Sequence, residues 1–97
     1  MKTDPQKVAE FVRKIEELIN KLSEKGELLP RDDSLYFVKD KVEIPQELGL
    51  DEYLVNVGSS IMEFECGHIY FAIHFHNNFI TSLTLHIVST EVTDVIR

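Results

Sequence analysis

The chain has no tryptophan, a single cysteine, three prolines and four glycines in 97 residues, and its lysines and arginines number ten against seventeen aspartates and glutamates. Each shortage closes off a class of protein. With Cys66 alone no internal disulfide can form, and a lone thiol fits a reducing compartment, which gives a cytoplasmic expectation. The longest unbroken apolar stretch, Ile69 to Ile73, is far short of the roughly 20 residues a membrane helix needs. The opening residues MKTDPQKVAE lack the apolar core of a secretion signal, so neither insertion nor export is expected. A formal charge of −7, with no basic patch among aromatic neighbours, would repel a phosphate backbone and argues against nucleic-acid binding. The chain is also too short to divide into two pieces that each bury a core, so residues 1–97 read as one domain.

The negative charge is concentrated. Residues 1–34 carry seven positive and eight negative side chains, residues 35–65 two and seven, and residues 66–97 one and two. The acids of the middle segment are Asp40, Glu43, Glu47, Asp51, Glu52, Glu63 and Glu65. Such a segment serves solubility, and it also suits a surface that steers a basic partner.

Hydropathy patterning divides the chain in two. Val8, Phe11, Val12, Ile15, Leu18, Ile19 and Leu22 recur at steps of three and four, which predicts an amphipathic helix over residues 4–25. Asp4 and Pro5 suit its start, and Gly26 and Pro30 its end. Further on, SLYFVKD and KVEIP suggest a short hairpin around Asp40, and PQELGLDEYL a helical turn. After a break at Gly58, Ser59 and Ser60, strands are expected at about 60–66, 68–75 and 79–89, with TEVTDVIR as a turn of helix or a frayed strand. The fold class is therefore α+β, a long N-terminal helix on one face of a four- to five-stranded antiparallel meander. Cystatin-like and nuclear-transport-factor-like folds share that plan, but no family motif is present and architecture alone does not confer function.

Alternation then sets the strand registers. Ile69, Phe71, Ile73 and Phe75 share one face with Phe79, Leu83, Leu85 and Ile87 only if the loop between the strands has an odd length. A three-residue loop, His76-Asn77-Asn78, pairs Phe75 with Phe79, Phe71 with Leu83, Tyr70 with Thr84 and His68 with His86. An even turn at Cys66-Gly67 pairs Phe64 with Ile69 and Glu65 with His68. These registers put Glu65, His68 and His86 in one row on the outer face, where strands about 4.8 Å apart let three side chains converge on one ion. Two histidines and a carboxylate suit zinc.

The same row without a metal is a polar outer face carrying a weak Glu65–His68 ion pair. Used as a general base, His68 would need a nucleophile, and neither a nucleophile elbow nor a Gly-rich phosphate loop is present. The rest of that face (Ile61, Tyr70, Ala72, Ile80, Ser82, Thr84 and Val88) is nearly free of charge, closer to an interface than to a solvated sheet. Residues 28–57, or a second copy in a homodimer, are expected to cover it. The leading expectation is a small acidic, non-enzymatic interaction module, of the inhibitor, immunity-protein or regulatory-subunit kind. It would bind a protein through Asp40, Glu43, Glu47, Asp51, Glu52 and Glu63, with Tyr53 or Tyr70 as apolar anchors, and the acids make a basic protein the expected partner. The alternative is a metal-dependent protein using Glu65, His68 and His86.

Overall fold

The computed structural model describes residues 4–32 and 35–87. Helix α1 (Pro5–Lys25) is followed by β1 (Leu28–Asp32), β2 (Leu35–Val38), a 3-10 turn at Asp51–Tyr53, β3 (Leu54–Val57), β4 (Ile61–Cys66), β5 (Ile69–His76) and β6 (Phe79–Ile87). The readings of TEVTDVIR and of Val88 lie outside the described residues.

The helix forms where its periodicity places it. Its Asp4 side chain accepts a hydrogen bond from the Gln6 N–H at 2.9 Å, Pro5 occupies the first turn, and Phe11, Ile15, Leu18 and Leu22 form the buried stripe. At the far end the Gly26 N–H bonds to the Leu22 carbonyl. Gly26 is not there for a left-handed conformation, because its backbone is extended at φ −166°. It is there for space: an added Cβ would lie 2.6 Å from Val42 Cγ2 and 3.2 Å from Asp40 Cβ. Gly26→Ala should therefore destabilise the protein by about 1–3 kcal/mol, as overpacking does. The check is a lower urea midpoint at unchanged slope, partly restored when Val42→Ala is added.

The α+β architecture stands, with the helix on one face of an antiparallel sheet, but the sheet has six strands in the order β1-β2-β6-β5-β4-β3. Strands β3 to β6 form a meander, and the β1–β2 hairpin joins it through β2 beside β6. The expected hairpin around Asp40 does not form. Leu35–Val38 pairs backward with Leu28–Asp32, a strand hidden in the sequence by Pro30, which an edge strand tolerates because it need not donate a ladder bond. Residues 41–44 instead run beside the β5–β6 turn, with the Ile80 N–H donating to the Val42 carbonyl and the Ile44 N–H to the Asn78 carbonyl. The helical turn expected in PQELGLDEYL is the 3-10 turn at Asp51–Tyr53.

Residues 39–53 travel from β2, one strand in from the β1 edge, to β3 at the opposite edge, on the helix side. Val42, Leu50 and Tyr53 join Phe11, Ile15, Leu18, Leu22, Phe64, Phe71, Ile73 and Leu83 in one buried cluster. The Phe11 and Tyr53 rings meet at 4.5 Å between centroids, which ties helix to crossing segment. Residues 28–57 therefore do not cover the outer face. They lengthen the sheet and close the core from the helix side.

Candidate functional site

Both hairpins differ from the registers expected of the sequence, and for separate reasons. The β4–β5 turn is indeed two residues long, but it is Gly67-His68: Cys66 pairs with Ile69, Phe64 with Phe71 and Glu65 with Tyr70. Glycine takes the first turn position at φ 61°, where the tight hairpin requires a positive angle, and this keeps the apolar Cys66 and Ile69 in the core. The β5–β6 turn is also two residues long, Asn77-Asn78, both left-handed at φ 52° and 70°, as two-residue hairpins favour. The parity problem this creates is solved by a bulge at Thr81, whose hydroxyl bonds to the His74 carbonyl at 3.1 Å. Beyond it Ile73 faces Leu83, Phe71 faces Leu85 and Tyr70 faces His86.

The Glu65–His68–His86 row consequently does not exist. Glu65 and His86 flank Tyr70 on successive strands, and His68 sits in the turn. No group of three or more His, Cys, Asp and Glu side chains able to hold an ion is found among the described residues. The metal reading has lost the geometry that motivated it. His74 stands opposite Ser82, not the Ile80 that a three-residue loop would set there, and Ile80, expected on the outer face, is buried in the core on the turn side of the bulge.

What the sheet does assemble is a hydrogen-bonded group around Glu63. Its carboxylate accepts from the Asn56 amide at 2.8 Å and from the Tyr70 hydroxyl at 2.9 Å, and the Tyr70 ring lies 4.9 Å from that of His86. The Asn56 and Tyr70 donors hold the Glu63 carboxyl below its ordinary range. Tyr70 moves the other way: burial, then the bond to Glu63, push its hydroxyl up to about 12. The signs set two pH limits. Stabilisation from Glu63 is complete above its unfolded-state value and drains away as pH falls through the depressed folded one. That from Tyr70 is complete below the ordinary 10.0 and is lost as pH climbs toward about 12. In Glu63→Gln, stability is expected to fall less on acidification, and the last-titrating tyrosine phenolate, read by ultraviolet absorbance, to form at lower pH. An unchanged alkaline titration would show that the Glu63–Tyr70 bond does not persist in solution.

The remaining acids fall into three places. Asp40 and Glu43 lie near the β2 end beside Lys39 and Lys41, and Asp40 Oδ2 accepts the Glu27 N–H at 3.2 Å. Glu47 lies on the helix side, lining a groove of about 490 Å³ whose other charged residues are Lys14, Glu17, Lys21, Glu24 and Lys25. Asp51 and Glu52, both exposed, occupy the 3-10 turn that leads into β3 and packs on β4, the strand carrying Glu63 and exposed Glu65. The last four gather at one end of the sheet, and among the described residues no ion pair engages them; the ion pairs there are Arg13 with Glu10 and Glu17, and Lys39 with Glu27. From residue 42 to residue 96 the chain has no lysine or arginine, and the cations felt at this end, Lys7 and Arg13, belong to the helix, whose charges act on Cys66 and Tyr53.

Tyr53 is not available as an anchor. It is buried against Phe11, and burial, followed by the nearby charges of Glu52 and Glu10, raises its hydroxyl pKa. Cys66 is likewise buried, which pushes its thiol up and leaves it a weak nucleophile. The apolar surface beside the acids is instead Leu54, Val55 and Val57 of β3, which are 37, 57 and 59% exposed. The sequence signal was the short uncharged run LVNV between the 3-10 turn and Gly58, and its membership of an edge strand became visible only with the sheet order.

The chain matches no protein-family model, no curated protein and no solved structure. Its helix is too polar to cross a membrane, and no other described helix is long and apolar enough. The functional reading rests on the surface alone.

Proposed function

We propose that the protein is a non-enzymatic binding module whose acidic end, Asp51, Glu52, Glu63 and Glu65, receives a basic partner protein. The observation that carries this reading is the gathering of four carboxylates that no ion pair engages among the described residues, beside an exposed apolar strand. Charges left unpaired at a surface create a field that steers an oppositely charged partner, and exposed apolar side chains beside them give the encounter contact area to keep. Asp40, Glu43 and Glu47, spread among lysines elsewhere, contribute net charge rather than contact.

A lysine-rich peptide in extended form, acetyl-Lys-Val-Lys-Val-Lys-Thr-Lys-Val-amide, serves as the probe. It is expected to bind at low ionic strength, to weaken steeply as salt is raised, and to fail when glutamine replaces its lysines. Binding that is indifferent to salt, or that survives loss of the lysines, refutes the reading.

A further inference from the structure

The two edges of the sheet are built differently. β1 carries the protections an edge strand normally shows: Pro30, which has no N–H to offer, a register break between Pro30 and Asp32, and the charged Arg31, whose guanidinium lies over the Phe37 ring at 5.1 Å. β3, at the opposite edge, is Leu54-Val55-Asn56-Val57, all four exposed, with no proline and no charge, protected only by its brevity and by a bulge between Leu54 and Asn56. Among the described residues it is the last strand of the sheet, so its outward N–H and C=O groups form an open template.

We infer that β3 is the docking edge, and that the partner adds to it as a further antiparallel or parallel strand, a basic extended segment in which lysine or arginine alternates with β-branched apolar residues. This rests on the basic-partner reading above and specifies how the partner is held. The alternation follows from the faces of the sheet. Asn56 and Glu63 lie in one row on the outer face, with Glu65 further along β4, so partner side chains on that face stand beside Asn56 and two strand spacings, about 9.6 Å, from the β4 carboxylates, a gap that a long lysine side chain reaching over Asn56 can close. Leu54 pairs with Phe64 and Val57 with Met62 on the helix-side face, so partner side chains there meet apolar surface. Asp51 and Glu52, at the entrance to β3, extend the negative charge along the new strand. Main-chain hydrogen bonds supply affinity in this mode, and the alternating side chains supply specificity. A second copy is the poorer occupant, because each copy brings a formal charge of −7 and would bring these same carboxylates to the contact.

The test compares three peptides on the full chain: the lysine–valine peptide, its glutamine counterpart, and a version N-methylated on the backbone at every residue, which keeps all the charge and removes each residue's main-chain N–H. The unmodified peptide is expected to bind and to slow amide exchange at residues 54–57. N-methylation should weaken it at least about tenfold, because the main-chain bonds are lost. Val55→Pro should weaken the unmodified peptide similarly, with circular dichroism and thermal midpoint retained; should that variant unfold, the methylated peptide still decides. If the methylated peptide binds as well as its parent, strand addition is wrong while the electrostatic reading survives. If neither charged peptide binds, both fall. Protection arising away from β3, or a self-paired β3 that excludes the peptide, also overturns the inference.

Discussion

Phe11→Ala is expected to lower stability by about 3–5 kcal/mol, the usual cost of emptying a phenylalanine site in a packed core. Few substitutions in this chain should cost more, since domains of this kind hold only about 5–15 kcal/mol in all. Phe11 is fully buried, and its ring is the contact between the helix and Tyr53 of the crossing segment. Removing it therefore opens a cavity and also unseats the segment that delivers the chain to β3. Two measurements separate these effects. The denaturation midpoint reports the cavity, and the Tyr53 phenolate, now closer to water, should form at lower pH because burial is the largest cause of its raised value. Phe37→Ala, on the outer face and 39% exposed, is the control, expected to cost under about 1 kcal/mol. Equal losses from the two would mean that Phe37 is packed against something in solution, as the homodimer reading of that face requires.

Neutralising three acids, Asp51→Asn with Glu52→Gln and Glu65→Gln, is expected to slow association of the lysine–valine peptide by roughly tenfold or more at low salt, within the span attributed to electrostatic steering. Glu63 is left alone on purpose. Its carboxylate is committed to Asn56 and Tyr70, and changing it would confound loss of charge with loss of two hydrogen bonds. The dissociation rate should change much less than the association rate, because exposed charges act mainly on the encounter. The rate should also depend less steeply on ionic strength, while thermal stability stays close to that of the parent. An equal effect from neutralising Asp40, Glu43 and Glu47 would mean that net charge, not its placement at the β3 end, governs binding.

The helix was legible because every signal lies within it: the spacing of Phe11, Ile15, Leu18 and Leu22, the cap at Asp4 and the stop at Gly26. The strands β4, β5 and β6 were legible from alternation, but their registers were not, since parity constrains only whether a connection is odd or even. For β5 and β6 the odd count was met by a bulge at Thr81 in place of a longer loop, and no local residue preference distinguishes those solutions. For β4 and β5 both candidate turns were even, and the choice fell to burial of Cys66 and Ile69, which depends on a helix far away in sequence. β1 was missed because Pro30 reads as a breaker until its strand is known to be an edge.

Composition, charge and periodicity by themselves determined an acidic α+β chain with a long capped helix, an apolar strand face and seven carboxylates crowded between residues 35 and 65. Only the tertiary structure decided which carboxylates stand together, that Tyr53 is buried, that Glu65, His68 and His86 are apart, and that LVNV is the last strand of the sheet among the described residues. The physical reason is range. Helical spacing and capping act within a few residues, whereas register and strand order are set by burial and hydrogen bonding between segments that the sequence does not place side by side.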